Sequence, residues 1–263
     1  MELAKKSLGQ HWLKDRQALE AISELAEIIH TDTVLEIGPG LGHLTKYLVD
    51  QAGHVIAVEF DEKLASQLPS RVSSKKLKVV QADILKFDLT DLPTHYKVVA
   101  NIPYYLTSNL LRILSESLNP PYLMVLLVQK EVAERICAHA GQMSLLSIAV
   151  QLYYSCELGI IVPADKFEPA PKVDSQVVVL RHHAKPLFHD LDTKSFFQIV
   201  KAGFAGRRKK LRSSLAAGLH LDKKAADALL AKAGIDGDKR AQELTLSDWY
   251  SLQKCALNLG YLT

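Results

Sequence analysis

Cysteine is scarce. Cys137, Cys156 and Cys255 are the only three, odd in number and far apart in the chain, so neither a disulfide framework nor a C-x-x-C metal or redox site is suggested. No apolar run is long enough to cross a bilayer, and no apolar stretch of a secretory leader follows Lys5 and Lys6. The histidines lack H-E-x-x-H or any similar ligand spacing, and His182-His183 read as the start of a solvated linker. There is no G-x-S-x-G or other nucleophile motif, which argues against covalent catalysis, and no internal repeat or low-complexity tract. Charge of one sign is also missing, with a net of only +3. What remains is a globular chain suited to a reducing cytoplasm: 263 residues, 48% hydrophobic, enough for one large domain and a small one.

The stretch over residues 33–59 organises the rest. A short apolar run with Val34, Leu35 and Ile37 breaks into Gly38, Gly40 and Gly42, a helical pattern follows, and a second apolar run ends on Glu59. Glycines serve where backbone must turn tightly or approach a ligand, and a helix N-terminus beyond them offers free N–H groups. Glu59 lies 21 positions after Gly38, near the spacing at which nucleotide-binding units place the carboxylate that grips a ribose. The spacing does not choose between ribose-bearing cofactors, and nicotinamide dinucleotides fit it too.

Around this unit the sequence alternates. A helix with Leu19, Ile22, Leu25, Ala26 and Ile29 on one face leads in. Asp61 is placed to cap a helix through Leu68 that Pro69 closes; residues 77–81 and 97–100 read as strands, 106–118 as a helix and 122–128 as a long apolar strand. Alternation of this kind predicts an α/β parallel sheet covered on both faces. Two more strands, 155–162 and 173–181, joined without a helix, predict an antiparallel pair at one edge and bring the count to seven. Residues 182–193 read as a linker, and helical patterns fill 196–259. The expected division is a domain over 1–184 and an all-helical one over 185–263. At the other end, Trp12 and two leucines near the N-terminus predict that part of residues 1–14 folds back on the body.

Two strand ends carry chemistry. Asp83 follows the third strand, either as a cap or at the ligand-binding edge of the sheet. After the fourth strand comes Asn101-Ile102-Pro103-Tyr104. A side-chain carbonyl, a backbone carbonyl beside a rigid proline and a flat π-face match an exocyclic amine on an aromatic ring. Two acceptors drawing on the two N–H hydrogens of an adenine N6 favour a pyramidal nitrogen with its lone pair directed outward, an effect largest in the transition state. Taken alone, N-x-P-Y fits equally a turn in which proline ends the ladder and tyrosine packs.

Together with G-Q-H-W-L at 9–13, L-E-I-G-P-G-L-G-H-L-T at 35–45, Q-K-E-V-A-E-R at 129–135 and F-E-P-A-P-K-V-D-S at 167–175, these motifs resemble the small-subunit ribosomal RNA adenine N6-dimethyltransferases over essentially the whole chain. The resemblance implies a Rossmann-like, seven-stranded methyltransferase sheet with a small helical C-terminal domain. It also implies S-adenosyl-L-methionine as cofactor, and ribosomal RNA of the immature small subunit as substrate of a cytoplasmic monomer. It places the cofactor against His11, Leu13, Gly38, Glu59, Asp83 and Asn101, with Glu59 on the ribose and Asp83 on the adenine amine. Asn101 and the carbonyl of Ile102 or Pro103 would hold the target amine, Tyr104 would stack on the base, and Phe167 would supply a second wall. The family commonly has G-Q-N-F-L where this chain has Gly9-Gln10-His11-Trp12-Leu13, so a side-chain role of His11 is the weakest transfer. A large-subunit RNA methyltransferase of the resistance type shares the core motifs, and an assembly factor without turnover shares the fold. A dinucleotide oxidoreductase would leave N-I-P-Y without a purpose. The run Arg207-Arg208-Lys209-Lys210, with Arg212, reads as a phosphate-binding patch that Lys5, Lys6, Lys130 and Arg135 would extend.

Overall fold

The computed structural model describes residues 10–206 and 208–262. The chain divides into two compact units, one of residues 1–137 and 154–183, the other of residues 138–153 and 184–263. The single division expected near residue 184 therefore needs amending, because the segment 138–153 belongs with the C-terminal helices.

In the first unit the strands in chain order are β1 (Trp12–Leu13), β2 (Thr33–Ile37), β3 (His54–Glu59), β4 (Leu77–Gln81), β5 (Lys97–Asn101), β6 (Leu123–Gln129), β7 (Tyr154–Val162), β8 (Phe167–Glu168) and β9 (Ser175–His182). Seven of them form one sheet in the order β4-β3-β2-β5-β6-β9-β7. The four pairings that link β4 through β6 are parallel; β9 runs antiparallel to both β6 and β7. All of β6 except Gln129 is buried, which explains its uninterrupted apolar sequence. The edge strand β7 carries an irregularity between Leu158 and Ile161, a feature that blunts open edges. After β2 the chain winds outward through β3 and β4, then crosses to β5 on the other side. The C-terminal ends of β2 and β5 thus flank the point where winding reverses, the place at which open α/β sheets hold ligands.

Among the described residues five α-helices belong to this unit: α1 (Arg16–Leu25), α2 (His43–Gln51), α3 (Glu62–Arg71), α4 (Thr107–Glu116) and α5 (Lys130–Ile136). Asp61 caps α3, accepting from the amides of Lys63 and Leu64. Pro69 does not end that helix but sits in its last turn. It forfeits one amide hydrogen bond, while Leu68 and Val72, both buried, keep the turn closed through Val72 N–H to Leu68 O at 2.9 Å. The N-terminal segment folds back as β1, pairing antiparallel with β8, too short a pair to leave a periodic signal. Cys137, at the end of α5, and Cys156, in β7, share a hydrogen bond despite their separation in sequence.

The second unit contains α6 (Leu145–Gln151), α7 (Thr193–Phe204), α8 (Leu211–Gly218), α9 (Lys223–Lys232) and α10 (Leu246–Asn258). Its core joins Met143, Ile148 and Leu152 to Phe196, Ile199, Leu211, Leu229 and Trp249. The stretch read as a linker is packed: Phe188 stacks on Tyr250 with ring centroids 4.2 Å apart, and Asp190 binds the Tyr250 hydroxyl and the Lys254 ammonium. Aromatic contacts between single residues have no period, so the sequence pattern missed them.

Candidate active site

The glycine turn after β2 is backbone-driven. Gly38, Gly40 and Gly42 all have positive φ (66°, 56° and 82°), the region that side chains disfavour. A Cβ on Gly40 would lie 3.1 Å from the Trp12 indole, so this glycine lets the returning N-terminal segment close over the turn. At the end of β3, Glu59 is 6% exposed, and each carboxylate oxygen accepts one backbone N–H: Oε2 from Gly40 at 3.1 Å and Oε1 from Asp61 at 2.9 Å. Burial raises its pKa, and the amides of Asp61 and Gly40 offset only part of that rise. Each oxygen retains acceptor capacity for a ligand hydroxyl.

Opposite stands the turn after β5. The Asn101 side-chain amide donates from Nδ2 to the His11 carbonyl at 2.9 Å, which turns its Oδ1 into the available acceptor. The Pro103 carbonyl accepts from Leu106 N–H at 2.9 Å and closes a 3₁₀ turn over Tyr104–Leu106. The Tyr104 hydroxyl is hydrogen-bonded to Ser175 Oγ at 2.8 Å, and burial raises its pKa, so the phenol is neutral. The His11 ring lies 5.8 Å from that of Tyr104, 20° from parallel, and its Nδ1 is 2.7 Å from the Pro169 carbonyl oxygen. His11 thus supports Asn101 through its backbone and Tyr104 through its ring.

His11, Gly38, Glu59, Asp83, Asn101, Pro103 and Tyr104 line one cavity of about 250 Å³. Asp83 also caps the following turn, accepting from Leu85 N–H at 3.0 Å. Leu13 and Phe167 are not among the residues lining this cavity, although Leu13 lines a smaller one that adjoins it at Gly38 and Asn101. They are 4% and 5% exposed and face each other across the β1–β8 pair in the core. The second aromatic wall expected from Phe167 is not found in the larger cavity, because pairing with β1 commits its side chain to the interior.

Four participants escaped the sequence reading: Phe60 and Tyr105, which line the cavity, Ser175, which anchors Tyr104, and Glu36. Glu36 is 1% exposed in the middle of β2, and its Oε2 has no hydrogen-bond partner among the described residues. With Gly38, His43 and Asn101 it lines a small adjoining cavity of about 30 Å³. Burial, with the charge of Glu59 adding to it, pushes its pKa up to about 8. A charged residue inside the apolar run V-L-E-I was the signal that could have found it.

In the helical unit, Arg207 lies outside the described residues. Lys210 pairs with Asp238 at 3.1 Å, and Arg212 with Asp238 at 2.7 Å and Asp227 at 3.6 Å. Arg208 and Lys209 are exposed and have no acidic partner among the described residues. The patch is therefore smaller than its sequence suggests. Lys130 and Arg135 lie on α5 of the first unit. Among the described residues no group of three or more metal-ligating side chains occurs, and no helix is long and apolar enough to cross a membrane.

The family model described as "Ribosomal RNA adenine dimethylase" matches residues 1–257. The "Ribosomal RNA small subunit methyltransferase A" of Dehalococcoides mccartyi is 41% identical over 253 residues, 95% of this chain and 87% of that protein. Among solved structures, a dimethyladenosine transferase from Plasmodium falciparum superposes with a TM-score of 0.85 at 28% identity, covering 96% of this chain and 99% of that one. The 23S rRNA methyltransferase ErmE does so with a TM-score of 0.76 at 29% identity, covering 93% and 98%. A match over nearly the full length, with an α/β methyltransferase sheet and a helical C-terminal region, places this chain in the ribosomal RNA adenine dimethylase family.

Proposed function

We propose that this protein transfers methyl groups from S-adenosyl-L-methionine to N6 of two adjacent adenines in small-subunit ribosomal RNA, giving N6,N6-dimethyladenines during maturation of that subunit. The observation that carries this reading is the amide of Asn101. Its nitrogen is bound to the His11 carbonyl, so its oxygen is free for an amine, beside the Tyr104 ring and in the cavity that Glu59 also lines. The donor set fits the cofactor: a buried carboxylate with spare acceptor capacity for ribose hydroxyls, a carboxylate at Asp83 for an adenine amine, and a glycine turn for close approach.

The cofactor, when bound, supplies a methyl group already activated on a sulfonium. The protein's part is placement. Asn101 Oδ1 and the carbonyl of Ile102 or Pro103 accept the two N6 hydrogens. Tyr104, fixed by Ser175 and His11, stacks on the base. The amine needs no strong base, since it becomes acidic once it bears a fourth bond. Arg208 and Lys209 of the helical unit bind RNA phosphate, the RNA lying within the immature subunit, and the enzyme works as a cytoplasmic monomer.

The test is transfer of labelled methyl to immature small subunits and to large-subunit RNA in parallel, with nucleoside mass analysis. Dimethyladenine in small-subunit RNA alone supports the reading. Label confined to large-subunit RNA supports the resistance-type activity instead, and absence of label from both refutes methyl transfer.

A further inference from the structure

Tyr104 and Tyr105 are consecutive in a 3₁₀ turn, where neighbouring side chains point about 120° apart. One ring is used inside the site. The other is 63% exposed and makes no hydrogen bond among the described residues, yet it lines the same cavity. An aromatic ring at the mouth of a site is open to a ligand, and covering its face removes apolar area from water. Phe60, the other exposed aromatic of the cavity at 57%, follows Glu59 and belongs to the ribose end. Tyr105 follows Asn101 and Tyr104 and belongs to the amine end.

We infer that Tyr105 is the platform for the nucleotide next to the target adenine, taking over the stacking that this nucleotide loses when the target is drawn into the cavity. The inference rests on the RNA adenine reading above and extends it to a second nucleotide. Turning a base out of a strand bares one face of its neighbour, and that neighbour stays at the cavity mouth because the sugar-phosphate backbone tethers it. A flat ring there offsets part of the unstacking cost, and base–aromatic stacks contribute on the order of 1–3 kcal/mol. The contact is with a π-face, so it tolerates any base but favours the larger faces of purines. In a substrate with two adjacent adenines, Tyr105 would hold one while Tyr104 receives the other.

The test uses full-length wild type, Tyr105→Phe and Tyr105→Ala, with small subunits reconstituted from intact RNA or from RNA made abasic on either side of the target. Wild type and Tyr105→Phe should lose about 5- to 100-fold in affinity when the base on one particular side is missing. Tyr105→Ala should bind intact and abasic subunits equally, near the wild-type abasic level, with an unchanged Tm. Discrimination retained by Tyr105→Ala, or a wild type indifferent to both abasic sites, overturns the inference. Methyl transfer by the wild type to intact subunits is measured alongside: its absence defeats the functional reading, whereas transfer without discrimination defeats only the role of Tyr105.

Discussion

Glu36 carries a burden that can be measured one side chain at a time. Its folded pKa, about 8, lies above the ordinary carboxylate value because burial disfavours the charge. Between these two pKa values the native state holds a proton that the unfolded chain has released, so this residue lowers stability as pH rises from near 5 towards 8, by at most about 1.4 kcal/mol per pH unit. Glu36→Gln, which resembles the protonated form, should therefore raise Tm at pH 8 and leave it nearly unchanged at pH 5; a shift of equal size at both would refute the assignment. At the amine end, Asn101→Ala should cut methyl transfer by about 100-fold or more while cofactor affinity, measured by calorimetry, falls far less. Glu59→Ala should show the reverse. Neutralising Arg208 and Lys209 together should flatten the dependence of log affinity on log salt by roughly 1.4, whereas one or both paired residues, Lys210 and Arg212, should contribute less. Much of this was legible in the chain, because the glycines, Glu59 and N-I-P-Y each announce a chemistry. What was not legible is orientation. No spacing tells that the His11 carbonyl turns the Asn101 amide, or that Phe167 faces inward and Tyr105 outward.

Among the elements, the helices of the second unit pack through glycines whose role the sequence hides. Gly203 lies inside α7, where replacement by alanine ordinarily gains about 1 kcal/mol of helix propensity. Here a Cβ would lie 2.3 Å from the Trp249 ring, and Trp249 is fully buried on α10. A clash with an immobile indole outweighs the propensity gain, so Gly203→Ala should lower stability by about 1–3 kcal/mol in urea unfolding. Retained or increased stability would show that α7 and α10 can separate without cost. Periodicity located all seven strands of the main sheet and the long helices to within a few residues, since each strand or helix reports its own buried face. It missed the two-residue strands β1 and β8, whose pairing is set by contacts more than 150 residues apart.

For the molecule as a whole, the decisive feature is that the first unit is interrupted. The chain leaves it after Cys137 and returns at Tyr154, having given α6 and its flanks to the helical unit. Truncation after residue 184 would strip Met143, Ile148 and Leu152 of their core partners. Such a fragment should aggregate or bind a hydrophobic dye, and replacing residues 138–153 by a short polar linker should restore a monomer; solubility of the plain truncation, seen by gel filtration, would contradict this. A sequence read for local period cannot reveal such an exchange, because α6 is equally amphipathic whichever unit it joins. The interruption also has a consequence in time. Phe196, on the α7 helix against which α6 packs, follows Ile148 by 48 residues, and at ~5–20 residues per second of translation α6 emerges about 2–10 s before this packing partner. During that interval the nascent chain presents an unpaired apolar helix between two finished stretches of the sheet, which is where a chaperone would find its first foothold.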